Sequence, residues 1–195
     1  QCGSRGLGDV YKRQDEYQNE FLPNYSRRLT WLTNFSGSAG EAIITRNKAY
    51  LFVDGRYTLQ AKIEVSEKLY SIYNYNEKSP QDILNTLKLK KVNYAIDGNI
   101  VTARKLTFIK SEVKKNISIK LLTKNLIDII WKNRPKVPKS NVWHHEDKFH
   151  GTKVSSKIVT IKKIIKQDKA DYLFITSNES ICWLLNLRGS DLTYT

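Results

Sequence analysis

The chain has 195 residues, of which 40% are hydrophobic and 27% charged, and its formal net charge is +14. That apolar share is enough for a packed core, and no apolar run approaches the roughly 18 residues that span a bilayer. The first residues also lack the basic segment and apolar stretch of a secretory signal peptide. We therefore expect a soluble, cytoplasmic protein with no membrane partner. Its two cysteines, Cys2 and Cys182, follow no disulfide or zinc-site spacing.

The excess of positive charge has two interpretations. Clustered Lys and Arg side chains can neutralise phosphates, which would indicate a nucleic-acid-binding protein. Most of the basic residues are lysines, however, and they occur singly or in pairs beside predicted helices and turns, as do Lys88, Lys90, Lys91, Lys114 and Lys115. No basic stripe alternates with aromatic residues that would stack on bases. A solvated surface, with no nucleic-acid partner, is the favoured interpretation.

Residues 1–14, with the sequence QCGSRGLGDVYKRQ, differ in style from the rest of the chain. They contain three of the nine glycines and show no apolar period. We predict a leader of foreign origin or a disordered N-terminus that takes no part in the fold.

Residues 15–131 alternate between strand and helix patterns, which predicts an α/β domain. A polar turn joins two short apolar runs at 42–45 and 49–53, a pattern typical of a β-hairpin. Ser79 and Thr102 are suited to begin helices as N-caps. The other predicted strands are 69–75, 92–96 and 117–122, and the predicted helices are 57–65, 79–87, one that follows Thr102, and 125–131.

Residues 132–149 are polar and contain two prolines, so we predict a linker. Residues 150–195 then begin a second α/β unit. Its predicted helix has one apolar face, with Lys157, Lys162 and Lys166 on the opposite side, and residues 171–176 predict a buried strand. One helix and one or two strands cannot bury their apolar faces alone, so we expect this unit to be truncated.

Few residues suggest catalytic chemistry. The three histidines, His144, His145 and His150, lie in the predicted linker with no metal-site spacing. Gly37 and Gly40 lead into a strand and not into a helix, which favours a packing role over a phosphate-binding loop. We therefore predict no catalytic residue and no metal ligand in this chain.

Arg56 is the one candidate binding residue. It follows a predicted strand and the Asp54-Gly55 turn, which would place it at a sheet edge just before a helix. A guanidinium there can donate a fork of hydrogen bonds to carboxylate or carbonyl oxygens. The alternative is a structural salt bridge, for example to Asp54, and spacing alone favours that alternative.

Five segments together resemble the N-terminal part of Xaa-Pro aminopeptidases, the aminopeptidase P members of the creatinase-like family. They occur in the family's order and cover about residues 15–195 of the chain. The segments are DEYQ (15–18), RRLTWLTNFSGSAG (27–40), FVDGRYTLQA (52–61), NLIDIIWKNRP (125–135) and SICWLLNLRGSD (180–191).

The resemblance implies a creatinase-like N-terminal domain, with a mixed sheet flanked by helices, followed by the start of a second similar domain. It also implies a three-domain, homodimeric enzyme that removes the residue preceding proline from peptides with proline in second position. Two divalent metals, usually manganese, would be held in a third domain and none by this chain. Arg56 matches an arginine that contacts the peptide substrate in that family. A stand-alone binding module and a nucleic-acid-binding protein are the alternatives.

Overall fold

The computed structural model describes residues 7–12, 15–19 and 21–192 of the chain. Backbone contacts divide them into two compact units. The first contains the described residues of Gln1–Glu16 together with Tyr25–Arg134, and the second contains those of Tyr17–Asn24 and Pro135–Thr195. Residues 17–24 were predicted to belong to the first domain. They group with the second unit, where Asn178 Nδ2 donates a hydrogen bond to Asn19 Oδ1 at 3.1 Å.

A six-stranded mixed sheet forms the centre of the first unit, as predicted. Its strands are β1 (Leu7–Lys12), β2 (Gly40–Ile44), β3 (Ala49–Val53), β4 (Tyr70–Asn74), β5 (Val92–Asp97) and β6 (Ile117–Leu122). They lie in the order β4-β3-β2-β1-β5-β6. Strand β2 pairs antiparallel with β1 and β3, and the other neighbouring pairs are parallel.

Five short helices accompany this sheet among the described residues of the first unit. They are α1 (Arg28–Thr33), α2 (Thr58–Glu64), α3 (Pro80–Thr86), α4 (Ala103–Glu112) and α5 (Leu126–Ile130). Ser79 begins α3 through a capping box, because its hydroxyl accepts from the Asp82 N–H and the Asp82 carboxylate accepts from the Ser79 N–H. Thr102 caps α4 through the Lys105 N–H. The predicted helices and strands of 42–131, and both predicted caps, are thus confirmed.

Two apolar clusters form the core of the first unit. One contains Phe52, Tyr94 and Ile109, and so packs α4 onto the sheet. The other contains Leu29 and Ile127, and so packs α1 and α5 against residues of β2 and β3. Residues 52 and 53 are neighbours in β3 but belong to different clusters, as expected because side chains alternate between the two faces of a strand.

Strand β1 contradicts the prediction that residues 1–14 take no part in the fold. Its residues pair antiparallel with β2, with Asp9 opposite Ile44, and parallel with β5, with Asp9 opposite Ala95. Strand pairing is made by backbone N–H and C=O groups, so a segment without an apolar period can still lie between two strands. The foreign origin of the segment stays a prediction, and residues 1–6 and 13–14 lie outside the described residues.

The second unit contains mainly helices. They are α6 (Asp147–His150), α7 (Val154–Gln167) and α8 (Asn178–Leu185), and a two-stranded sheet is formed by β7 (Trp143–His144) and β8 (Leu187–Arg188). The predicted helix of this unit is confirmed as α7. None of the described helices in either unit has the length and apolar character needed to cross a membrane.

Part of the predicted linker at 132–149 is ordered, since it contains β7 and most of α6, whereas residues 132–142 form no helix or strand. Strand β7 pairs with β8, His145 N donates to Asn186 O at 2.7 Å, and Ser140 N donates to the Asp191 carboxylate at 2.8 Å. These contacts are made by backbone groups and one acidic side chain, so they need no apolar pattern.

The predicted strand at 171–176 does not form. Residues 172–176 have no regular structure, and Tyr172 and Phe174 are 91% and 88% exposed. A strand needs a partner for its backbone groups, and no strand of the described second unit pairs with this segment. The run is apolar, as its sequence shows, but apolar side chains alone do not supply a partner strand.

The contrast between Ile127 and Ile129 on α5 tests the packing of that helix. Ile127 is fully buried in the second cluster, whereas Ile129 is 66% exposed. We expect Ile127→Ala to lower the free energy of unfolding by about 2–4 kcal/mol, because it leaves a cavity. Ile129→Ala should change it by less than about 0.5 kcal/mol. Urea titrations of both variants make the comparison, and equal losses would show that α5 does not pack as described.

Candidate functional site

Arg56 lies in a tight turn directly after β3, which we call the arginine turn (Asp54–Tyr57). The Asp54 carboxylate accepts from the Arg56 backbone N–H at 3.0 Å and so begins a short 3-10 helix over Gly55–Tyr57. The same carboxylate accepts from Arg56 Nε at 2.8 Å and from Nη2 at 3.4 Å. Asp54 therefore holds both the backbone and the side chain of Arg56.

The charges of the arginine turn are exposed. The Arg56 side chain is 74% exposed, and its Nη1 group makes no hydrogen bond to other described residues. Hydrogen bonds from Arg56 lower the pKa of Asp54, and the hydrogen bond and charge of Asp54 raise the pKa of Arg56. Both groups are thus ionised over the physiological pH range. The prediction that Arg56 lies at a sheet edge is wrong, because β3 lies between β2 and β4. Arg56 stands at the end of an internal strand.

A loop of small residues, the glycine loop (Asn34–Gly40), lies beside the arginine turn. Asp54 N donates to Ala39 O at 3.4 Å, and the Ser38 and Tyr57 hydroxyls share a hydrogen bond of 2.5 Å. The ring of Phe35 meets that of Tyr57 edge-on at 6.0 Å. The two segments therefore form one polar surface with a single exposed cation.

The glycine at 37 is required by space. A Cβ atom there would lie 2.2 Å from Cζ of the Phe35 ring, far inside van der Waals contact. A Cβ at Gly40 would approach the same ring at 3.0 Å and the backbone oxygen of Phe52 at 3.2 Å. The predicted packing role of these two glycines is confirmed, although its cause at Gly37 is the buried Phe35 ring.

The glycine loop is anchored to α2 by Glu64. The Glu64 carboxylate accepts from the Ser36 N–H and hydroxyl, both at 2.7 Å, and from Gln60 Nε2 at 2.9 Å. Burial acts to raise the pKa of Glu64, but the hydrogen bonds from Ser36 and Gln60 outweigh it and lower the pKa. The loop is thereby fixed next to the arginine turn.

The arginine turn can bind an anion or a carbonyl oxygen, because its guanidinium retains unused donors next to solvent. Neither segment contains a histidine or cysteine. Within the described ranges, no group of three or more His, Cys, Asp or Glu residues is arranged to hold a metal ion. The described residues therefore offer no ligand set for a dinuclear metal centre.

The histidines of the second unit lie close together without forming such a group. The ring centroids of His144 and His145 lie 6.0 and 6.4 Å from that of His150, and His145 stacks on Phe149. Burial and the nearby positive charge of Arg188 lower the pKa of His145. At neutral pH the His145 ring is therefore uncharged and packs as an aromatic group.

A buried ion-pair cluster, which the sequence did not reveal, lies at the start of α1. Arg28 is only 3% exposed. Its guanidinium donates to both oxygens of Asp128, at 2.7 and 3.0 Å, and to Glu16 at 3.0 Å. Arg134 binds the same Asp128 carboxylate at 2.8 Å and donates to Tyr25 O.

Burial acts to lower the pKa of Arg28, but the hydrogen bonds and charges of Asp128 and Glu16 outweigh it and raise the pKa. Three of the five resembling segments meet in this cluster, since Glu16, Arg28 and the pair Asp128 and Arg134 belong to different ones. The presence of these charged residues in three of the resembling segments was the signal in the sequence that could have indicated the cluster. The cluster joins these three segments within the first unit.

A second missed group is the buried Lys157 of α7, which was predicted to face water. Its ammonium donates to Trp183 O and to Asn186 Oδ1, both at 2.6 Å, and lies 4.2 Å from the centre of the Trp183 ring. Asn186 ends α8 in the left-handed conformation, where the carbonyls of the last turn need donors. Lys157 supplies one, which explains why a lysine lies on the buried side of the helix.

The comparisons with known proteins fit this architecture. Two profiles of the Creatinase/Prolidase N-terminal domain family match the chain, one over residues 20–127 and the other over residues 133–195. The chain belongs to this family. It is a creatinase-like N-terminal domain of the aminopeptidase P type, followed by a second segment that matches the same family.

Relatives of this chain are named as Xaa-Pro aminopeptidases or as aminopeptidase P1. The chain is 34% identical to a probable Xaa-Pro aminopeptidase P of Laccaria bicolor and 33% identical to aminopeptidase P1 of Arabidopsis thaliana. In both cases 95% of this chain aligns with 29% of the relative. The solved X-prolyl aminopeptidase of Caenorhabditis elegans, a cytosolic enzyme with a di-nuclear active site, superposes with a TM-score of 0.81 at 25% identity. That match covers 96% of this chain and 31% of the C. elegans chain.

Substitution of Asp128 tests how much the buried cluster contributes to the free energy of unfolding. Asp128→Ala leaves Arg28 buried with Glu16 as its remaining carboxylate contact, so we expect a loss of about 3 kcal/mol in the free energy of unfolding. The matched control is Glu67→Ala, which removes an exposed carboxylate of the same unit and should cost less than about 0.5 kcal/mol. Denaturant titration measures both, and similar small losses would show that Arg28 does not need Asp128.

Proposed function

We propose that the chain is the non-catalytic N-terminal part of a metal-dependent Xaa-Pro aminopeptidase, which removes the N-terminal residue preceding proline. The observation that carries the proposal is the extent of the match. Almost the whole chain aligns with relatives of this activity, yet it spans only about 30% of their length. The metals and the catalytic residues would lie in the part of the enzyme that the match does not reach.

The chemistry of the described residues supports this division of roles. A dinuclear centre needs several carboxylate and imidazole ligands around two ions, and no such donor set occurs among the described residues. When bound, two divalent ions, manganese in our proposal, would activate a water molecule for attack on the peptide bond. This chain contributes binding surface and scaffold.

Arg56 is the residue that we propose to contact the peptide substrate. The Asp54 carboxylate orients the guanidinium without burying it, so donors remain for a peptide carboxylate or carbonyl oxygen. The glycine loop, which Glu64 holds in place, lies beside the arginine turn. We further propose that the complete enzyme is a cytoplasmic homodimer, the location being that of the C. elegans neighbour.

Activity of the chain itself is the direct test of the division of roles. The purified chain should not release the N-terminal residue from a peptide with proline in second position, even with manganese added, because it lacks the ligands for the metals. A longer protein that continues this chain should release that N-terminal residue. It should leave the same peptide intact when alanine replaces the proline. Metal-dependent cleavage by a homogeneous sample of the chain alone would contradict the proposal.

Arg56 is tested in that longer protein. We expect Arg56→Ala to lower kcat/KM by about tenfold to a hundredfold, since a charge-assisted contact with the substrate is lost. Arg56→Lys should restore little activity, because an ammonium lacks the fork of donors. The Tm should hardly change, since the Arg56–Asp54 pair is exposed.

Arg46→Ala is the matched control. Arg46 is an exposed arginine in the turn between β2 and β3, and its loss should leave kcat/KM unchanged. If Arg56→Ala lowers the Tm clearly and leaves kcat/KM near normal, Arg56 has a structural role and the substrate-contact proposal is wrong.

A further inference from the structure

Five lysines that are separated in the sequence meet at one end of the first sheet. Strands β5 and β6 run parallel, with Val92 opposite Ile117, so the segments that lead into them lie side by side. Lys88, Lys90 and Lys91 precede β5, and Lys114 and Lys115 precede β6. All five are exposed. We call this group the lysine junction.

Hydrogen bonds fix the two segments of the lysine junction together. Asn116 Nδ2 donates to Leu89 O at 2.8 Å, and Val92 N donates to Asn116 O at 2.9 Å. Asn85 accepts from Lys114 N at its side-chain oxygen and from Lys114 Nζ at its backbone oxygen, at 2.9 and 2.8 Å. The junction is therefore a preformed surface, because the backbones that carry its lysines are held in place by side-chain amides.

The charge of the junction is not neutralised within the unit. The lysines that form ion pairs in the described part of the chain are Lys105 and Lys148, and none of the junction lysines does so. Residues 86–96 and 113–122 contain no acidic residue, and Glu112, two positions before Lys114, forms no ion pair with the junction lysines in the described part of the chain. Like charges held close together repel each other, and a partner of opposite charge relieves that repulsion.

We propose that the lysine junction binds an acidic segment of a partner protein. Three features favour carboxylates over nucleic acid. The cations are all lysines, whereas arginine is the residue preferred for phosphate and nucleic-acid recognition. Residues 85–91 and 112–116 contain no aromatic side chain to stack on a base. Leu89, which is 47% exposed between Lys88 and Lys90, offers an apolar contact that a peptide side chain can use.

This inference is independent of the peptidase proposal, because the junction is remote in the sequence from Arg56 and uses none of the residues of the arginine turn. It also changes the interpretation of the charge from a solvated surface to a localised one. The matched comparison is offered by α7, where Lys162, Lys163 and Lys166 are exposed as well. Any effect of net charge alone should be the same at both places.

The test measures binding of a fluorescent poly-glutamate peptide to the whole chain at low salt by anisotropy. Replacing Lys88, Lys90 and Lys91 together by Glu should raise the Kd by about tenfold or more, whereas the same triple replacement at Lys162, Lys163 and Lys166 should raise it by less than about threefold. Binding of the unchanged protein should weaken as salt is added, because the charges are exposed. Leu89→Ala should weaken binding to a glutamate peptide that contains leucines and leave binding to pure poly-glutamate unaltered.

Circular dichroism checks that both triple variants are folded. If the junction variant is not, Lys90→Gln with Lys91→Gln replaces it, with Lys162→Gln and Lys163→Gln as its control. Equal losses in the two variants, or no binding by the unchanged protein, would overturn the proposal. Tighter binding of a single-stranded DNA of equal charge, with the same dependence on the junction, would overturn the choice of an acidic protein segment.

Discussion

Arg28 places a full positive charge inside the first unit, and that charge must be compensated by groups brought from elsewhere in the chain. An unpaired buried cation costs several kcal/mol, and the carboxylates of Asp128 in α5 and of Glu16 compensate this one. The Asp128 carboxylate also holds Arg134, the last residue of the unit. Residues about one hundred positions apart are therefore joined through one carboxyl group. The packing of Leu29 and Ile127 in the adjacent cluster accompanies this contact.

Local signals predicted the elements of the first unit well, because caps and turns act within a few residues of one another. Ser79 and Thr102 determine where α3 and α4 begin, whatever lies beyond them. Pairing between distant strands has no such local signal. Residues 7–12 find two neighbouring strands despite their lack of pattern, whereas residues 172–176 have a strong apolar pattern and no described neighbour. The missed strand at 7–12 and the wrongly predicted strand at 171–176 have one cause: whether a strand forms depends on a distant partner strand.

The candidate site was predictable in part. The position of Arg56 and its possible pairing with Asp54 followed from three adjacent residues, and both are present in the structure. The burial of Arg28 and Lys157 was not predictable from composition, because long cationic side chains are usually exposed. Each is buried to satisfy oxygens that become grouped only after folding, namely the Asp128 carboxylate and the carbonyl end of α8. The residue that we propose to contact substrate is thus exposed, and the two cations that the sequence did not reveal are buried.

The fit between Phe35 and Gly37 has a consequence for how this sequence can diverge. The aromatic ring occupies the space that a side chain at position 37 would need, so the glycine cannot be exchanged freely while the ring remains. A smaller residue at 35 would admit alanine or serine at 37. Substitutions at these two positions should therefore be correlated across the family. The order in which they arise is restricted too, since the loss of the ring must precede the loss of the glycine.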